Sequence, residues 1–418
     1  MAKLKALRQR FPGIASILGN GAFLAGTQWS EAVLRGIYVL VISRWLGAEY
    51  YGVWSYTTTT YAFALGLALF GLESIVPLRL GRNLAATTFL STAFWLRFGL
   101  LGLAAVALTA GAFVFEGDVF IQLALLLVIP ALIGRGIVLF ARSALLALNK
   151  SYLAFRLAVC CRIMEVVAGL VSLWLGAGLF TLLIVHSVSW LMEAGFTLLA
   201  LSRQITFRLQ FDFGEFGNVL REGAVHALVA ISIAVLTAMP LIYIRHKTDD
   251  LALVGQMGLA IQVASLVVMG AAGVLGAALP VVARASTRGD ARLRHYPAFV
   301  ALGSAIVFGA AIIFAQVFGH SIAITLLGSG FASTGTLLAP ALLAGGLMVL
   351  PAGAWQLHIA QDRSWCGALA GWAGVLTLFV ALPPLARSSG ASGALVAASL
   401  ALGVRAIVLF TLGVGKRS

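Results

Sequence analysis

The chain has 418 residues, of which 61% are hydrophobic and only 10% charged, with a formal net charge of +14 and a mean hydropathy of +1.03. Those values exclude a soluble globular enzyme and a nucleic-acid-binding domain, and they place the chain among integral membrane proteins. A length of 418 residues accommodates about a dozen helical spans of roughly 20 residues each, with no sizeable soluble domain between them.

In chain order, the basic start MAKLKALRQRFPG is followed by a long segment without a small-residue cleavage pattern, so it reads as a cytoplasmic juxtamembrane anchor. Apolar runs predict spans over 19–42, 52–76, 90–114, 119–140, 153–176 and 179–200. A second set follows over 220–243, 252–282, 297–317, 336–357, 365–385 and 391–413. The N-terminus, the even-numbered loops and the C-terminus hold 18 of the Lys and Arg residues, whereas the odd-numbered loops hold only Arg44, Arg245, Lys247 and Arg387. The positive-inside rule then predicts both termini on the cytoplasmic side and accounts for the high net charge without a nucleic-acid partner. The clearest internal basic loop is RASTRGDARLR, Arg284 to Arg294.

Charged residues fall inside the predicted spans. The first carries Glu31 and Arg35, the third Arg97, the fourth Arg135, the fifth Arg156, Arg162 and Glu165, the sixth Glu193, and the twelfth Arg405; Glu73 lies just ahead of Pro77 at the end of the second. An ionised group facing lipid at the bilayer centre costs about 2.5–3.5 kcal/mol, so the deeper members are expected to face a bundle interior or a wet cavity. Arg135, Arg156 and Glu73 lie near helix ends, where snorkelling to the interface suffices. Arg162, Glu31, Arg35 and Arg405 lie deeper, with Arg97 and Glu193 between. Spacing pairs Glu31 with Arg35 at i,i+4 and Arg162 with Glu165 at i,i+3. One reading makes these structural ion pairs. The other lets Glu31, Glu165 and Glu193 hold arginines in a net positive cavity, or serve as ion-coupling groups. The candidate ligands for an anion are then Arg35, Arg162, Arg405, Arg97 and Arg156, because a guanidinium fork matches phosphate oxygens.

His186 and His226 read as packed, hydrogen-bonded helix contacts, with proton relay as the alternative. The run YTTTTY, Tyr56 to Tyr61, offers hydroxyls that either back-bond to the preceding turn or line a cavity. The three cysteines, Cys160, Cys161 and Cys366, make no disulfide framework or metal pattern. No Gly-rich phosphate loop, acidic metal cluster or nucleophile constellation stands on a loop, so neither an enzyme nor a cofactor is expected. An internal repeat shows as Arg44, Gly52 and Pro77 recurring as Lys247, Gly255 and Pro280, each 203 positions later. It predicts two six-helix lobes, 1–205 and 206–418, related by a parallel pseudo-repeat with a central cavity between them.

The segment SRWLGAEYYGVWSYTTTTYAFALGLALFGLESIVPLRLGR, Ser43 to Arg82, resembles the opening of Wzx-type polysaccharide flippases of the multidrug/oligosaccharidyl-lipid/polysaccharide exporter superfamily. The resemblance rests on the R-x-L-G-x-x-x-Y-G turn, on Gly71 ahead of a basic loop, and on the stretch Gly255 to Arg284 with the T-R-G-D loop at Thr287 to Asp290. It implies an all-α protein of the bacterial inner membrane, multi-pass, with about 12 transmembrane helices. Its implied activity is translocation of an undecaprenyl-diphosphate-linked oligosaccharide from the cytoplasmic to the periplasmic leaflet by alternating access, for polysaccharide biosynthesis. It implies a lipid-linked oligosaccharide and membrane lipids as partners, together with a polysaccharide polymerase and glycosyltransferases, and it leaves a proton or a sodium gradient open as the driving force. A multidrug or organic-cation extruder of the same superfamily is the nearest alternative, although an acidic cavity is expected there. A lipid II flippase is expected to need two further helices, and a membrane polymerase or ligase a large periplasmic loop. The connection between Gly319 and Gly335 is short and almost uncharged.

Overall fold

A computed structural model describes residues 12–82, 87–205, 211–287 and 290–412. The basic N-terminal anchor, two residues of the T-R-G-D loop and the end of the chain lie outside them, as does the junction expected between the lobes at 205 and 206 on its C-terminal side. The described residues are α-helical apart from short connections and two 3₁₀ turns. In chain order the helices are α1 Pro12–Ala68, α2 Leu72–Arg82, α3 Thr87–Phe115, α4 Val119–Leu127, α5 Ile129–Ala147, α6 Ser151–Trp174 and α7 Leu179–Ser202. They continue as α8 Phe213–Arg245, α9 Leu251–Thr287, α10 Tyr296–Leu327, α11 Ala332–Val349, α12 Ala352–Ala360 and α13 Trp365–Thr411.

Two of these helices are too long for one crossing. The 57 residues of α1 would span about 85 Å at 1.5 Å per residue, against a hydrocarbon core of about 30 Å. The chain instead turns at Gly47, whose φ of 75° and ψ of 170° leave the helical region and suit a residue without a Cβ. Tyr38 and Trp54, about 24 Å apart in a straight helix, consequently meet with ring centroids 6.3 Å apart. In α13 the turn is at Gly390 (φ 57°). There a Cβ on Gly374 would lie 2.8 Å from the Ala401 carbonyl oxygen, a contact impossible along one straight rod. Among the described residues nine helices are long and apolar enough to cross a bilayer, or ten with the bent pair Ala25–Ala68 and Leu72–Gly81. Counting α13 and the bent pair as two crossings each gives about twelve transmembrane helices in two lobes around a central cavity, the expected architecture.

Several expected single spans are broken. The second breaks after Ala68, where Phe70 and Gly71 take positive φ. The fourth breaks at Val128 beside Pro130, and the tenth at Leu350 beside Pro351. A proline at the first turn of a helix costs no hydrogen bond, whereas within a helix it removes one.

The repeat appears as a symmetric contact where the lobes meet. A Cβ on Gly52 would lie 2.0 Å from the Leu251 carbonyl oxygen, and one on Gly255 would lie 2.1 Å from the Ala48 carbonyl oxygen. Ala48 and Leu251 are themselves 203 residues apart, as are Gly52 and Gly255. The two glycines therefore exchange equivalent backbone contacts across a pseudo-two-fold axis, and α1 and α9 approach more closely than any side chain permits. Ser55 faces Gly258 at the next turn, again 203 residues on. This end of the molecule, with Gly47 and Gly390, also carries contacts between the lobes. Arg44 donates to the Leu326 carbonyl at 2.7 Å, and Arg245 donates to Glu116 at 2.8 Å.

Candidate functional site

Four helices of the N-terminal lobe present polar stripes at helical spacing to one interior cavity. Gln28, Glu31, Arg35 and Tyr38 recur every three or four residues along α1. Arg135 and Arg142 stand seven apart on α5, Arg162 and Glu165 three apart on α6, and His186 and Trp190 four apart on α7. Residues at these offsets share one helix face. The C-terminal lobe closes the cavity with Gln262 and Met269 of α9, and its volume is about 210 Å³.

The charges form a linked cluster. Arg142 donates to Glu31 at 2.7 Å and also to Glu193. Arg162 donates to Glu165, to Glu193 at 3.1 Å and to the Ser189 hydroxyl at 3.0 Å. Glu193, wholly buried, thus bridges two arginines from different helices. The Arg162 guanidinium also lies 3.9 Å from the Trp190 ring centroid, within cation–π range. A directional hydrogen-bond chain runs beside the cluster. Arg135 donates to the Tyr61 oxygen at 3.2 Å, so the Tyr61 hydroxyl is free to donate to His186 Nε2 at 3.0 Å. With His186 neutral, that leaves Nδ1–H to face Glu165 at 2.6 Å, because one ring nitrogen accepts and the other donates.

The expected pairing of Arg162 with Glu165 is present. That of Glu31 with Arg35 is not: Glu31 turns to Arg142 instead. Arg142 of α5 lies within reach of both Glu31 and Glu193, so which carboxylate meets which arginine follows from the packing of the helices and not from spacing along one of them. Arg35 lines the cavity with no hydrogen-bonded partner among the described residues. Tyr38 Oη, Trp190 Nε1 and Gln262 Nε2 also line it, and all three are buried without a hydrogen-bond partner. Counting Glu193 behind the wall, four arginines stand against three carboxylates, and the unmatched polar atoms on side chains other than arginine are hydrogen-bond donors or a hydroxyl.

Three of the expected anion ligands do not line this cavity. Arg97, wholly buried, donates to the Ala68 carbonyl at 3.2 Å and to Glu73. It caps the carbonyl end of the helix that breaks after Ala68, where a last-turn carbonyl lacks an intrahelical donor. Arg156 is exposed on the outer face of α6, with its guanidinium 5.6 Å from the Tyr152 ring, which fits the interfacial anchor expected for it. Arg405 is buried in the C-terminal lobe, where it reaches the Met348 carbonyl at 3.5 Å.

Conversely, Arg142, two residues beyond the predicted span 119–140, is a central member of the cluster. Its signal was the seven-residue spacing from Arg135. His226 is the packed contact expected, its Cβ lying where a side chain on Gly71 would stand. His186 belongs to the cavity. In the run Tyr56 to Tyr61, Thr57, Thr58 and Thr60 back-bond to their own helix, while Tyr61 joins the chain to His186. Among the described residues no group of three metal-ligating side chains occurs.

No family model matches the sequence, and no curated protein matches it. Similar solved structures exist. An inward-facing multidrug resistance MATE family transporter of the MOP superfamily superposes with a TM-score of 0.68 at 15% identity, over 94% of this chain and 93% of that one. The eukaryotic MATE transporter AtDTX14 gives 0.65 at 13% identity, over 95% and 94%. A MOP superfamily transporter from Pyrococcus furiosus, for which a reversed polarity of the binding pocket suggests a different function, gives 0.66 at 15% identity over 95% of each chain. The chain therefore has the two-lobed, all-helical fold shared by MATE transporters of the MOP superfamily.

Proposed function

We propose that the protein is an alternating-access transporter of the bacterial inner membrane, with both termini cytoplasmic, that moves an anionic, lipid-linked substrate between leaflets. The substrate class is an undecaprenyl-diphosphate-linked oligosaccharide for polysaccharide biosynthesis, delivered by glycosyltransferases and consumed by a polymerase. The observation that carries this reading is the cavity in the N-terminal lobe. Arg35 and Arg135 face it without a carboxylate partner among the described residues, while each of Glu31, Glu165 and Glu193 is engaged by an arginine. A guanidinium binds phosphate oxygens through charge-assisted, bidentate hydrogen bonds. Glu31, Glu165 and Glu193 act here as arginine-orienting groups, and the Glu165–His186–Tyr61 chain is the natural place for coupling to a proton gradient.

The second reading, a multidrug or organic-cation extruder, draws support from the solved structures named as multidrug transporters that share this fold. The Pyrococcus protein supplies the discriminating idea, since pocket polarity rather than fold was the basis for suggesting its different function. An organic cation needs a carboxylate free to meet it, and the three at this cavity are already paired. The test is a proteoliposome assay that follows a polyprenyl-diphosphate oligosaccharide to the opposite leaflet, with Arg35→Ala as control. Protein-dependent crossing lost in Arg35→Ala supports the flippase. Absence of crossing together with efflux of a cationic dye assigns the extruder.

A further inference from the structure

A second cavity of about 220 Å³ lies in the C-terminal lobe, walled by α8, α9, α11 and α13. No charged side chain lines it among the described residues. Its two hydroxyls are satisfied by their own helices: Thr237 donates to the Ile233 carbonyl at 2.8 Å and Ser265 to the Gln262 carbonyl at 2.7 Å. Such a cavity offers nothing to hold water and favours an apolar occupant.

Helix α9 forms the wall between the two cavities. Ile261, Ala264, Ser265 and Val268 form the stripe facing the apolar side, and Gln262 and Met269, seven residues apart, face the charged side. Met269 lines both. An unbranched thioether side chain with several rotatable bonds is a partition that can move aside at little cost. On one side of it stand Arg35 and the unmatched donors Tyr38, Trp190 and Gln262; on the other lies a dry apolar chamber.

We propose that the two cavities are one amphipathic binding site, in which the charged cavity holds an acidic, acceptor-rich head and the C-terminal cavity receives the prenyl segment attached to it, past Met269. The inference rests on the anionic substrate proposed above. A space of about 220 Å³ is far smaller than a whole polyprenyl chain. It therefore takes only the first units of a polyprenyl chain, and the remainder stays in lipid.

The experiment measures binding to the full chain in lipid nanodiscs by the fluorescence of its tryptophans, of which Trp54 and Trp190 line the charged cavity. The probes are inorganic pyrophosphate, geranyl diphosphate and uncharged geraniol. Each buried methylene is worth about fourfold in affinity, so geranyl diphosphate is expected to bind at least about tenfold tighter than pyrophosphate. Ala344→Phe, which fills the apolar chamber, should remove that gain and leave pyrophosphate binding unchanged; Ala344→Val, a smaller filling, should remove part of it. Arg35→Ala should weaken both diphosphates. Pyrophosphate binding with no gain from the chain, or a gain that survives both Ala344 variants, overturns the joined site while leaving the anion reading standing. Geraniol binding as tightly as geranyl diphosphate, and indifferent to Arg35, would make the chamber a separate lipid pocket. Failure of both diphosphates to bind would remove the anion reading and this inference together.

Discussion

Glu193 offers the sharpest test of the charge cluster. It is wholly buried, and its two oxygens accept from Arg142 and, at 3.1 Å, from Arg162. Removing one partner of a buried pair costs about 3–5 kcal/mol because the other charge is left behind. Each arginine keeps a second carboxylate here, Glu31 for Arg142 and Glu165 for Arg162, so Glu193→Ala is expected near the lower end, about 3 kcal/mol. At about 2.1 cal/mol/K per residue, the 418 residues give a shift of about 1 °C per kcal/mol, so the melting midpoint in detergent should fall by about 3 °C. Glu193→Gln, which keeps one acceptor oxygen but no charge, should fall less. Adding Arg142→Met to Glu193→Ala should cost less than the sum of the two single losses, since both substitutions remove the same Arg142–Glu193 contact. Thermal stability of these proteins and of the single Arg142→Met variant, followed by the loss of the monodisperse peak on size exclusion, gives the comparison. A Glu193→Ala protein melting within a degree of wild type, or a double variant less stable by the full sum of the two single losses, would refute the coupled cluster.

Other outcomes follow from the same geometry. Arg97→Ala strands Glu73 and uncaps the Ala68 carbonyl, so it should lower protein yield and melting temperature while transport per folded molecule stays near wild type; intact stability with lost transport would reinstate Arg97 as a substrate ligand. Gly52→Ala and Gly255→Ala place a methyl about as close to the opposing backbone, 2.0 and 2.1 Å, so both should impair folding or force the lobes apart, to similar degrees. A strong effect on melting temperature from one and none from the other would break the pseudo-two-fold relation. Gly47→Ala forces a Cβ into φ 75° at a cost of about 1–2 kcal/mol, whereas Gly81→Ala meets nothing within 4 Å; melting curves should separate the two.

Much of the architecture was legible along the chain. The apolar runs located the crossings, because a bilayer core demands about 20 apolar residues per helix wherever the chain passes. The breaks beside Pro130 and Pro351 are not legible from proline alone, since Pro77, Pro240, Pro340, Pro383 and Pro384 lie inside continuous helices. The repeat of Gly52 as Gly255 carried the symmetry of the lobe contact, although only the packed structure gives the reason: two backbones meet there with no room for a Cβ.

For the site, composition and depth determined that Glu31, Arg35, Arg162, Glu165 and Glu193 could not face lipid, because each exposed charge would cost several kcal/mol wherever its helix packed. That argument uses one helix at a time, and so does the i,i+4 rule that paired Glu31 with Arg35. Which charges meet depends on which faces of α1, α5, α6 and α7 turn toward one another. Tertiary packing alone decided that Arg142 takes Glu31, that Arg97 caps a broken helix, and that Arg35 is left facing the cavity. The partners of buried charges follow from which helix faces pack together, so spacing along one helix named the Arg162–Glu165 pair and missed the pairing of Glu31 with Arg142.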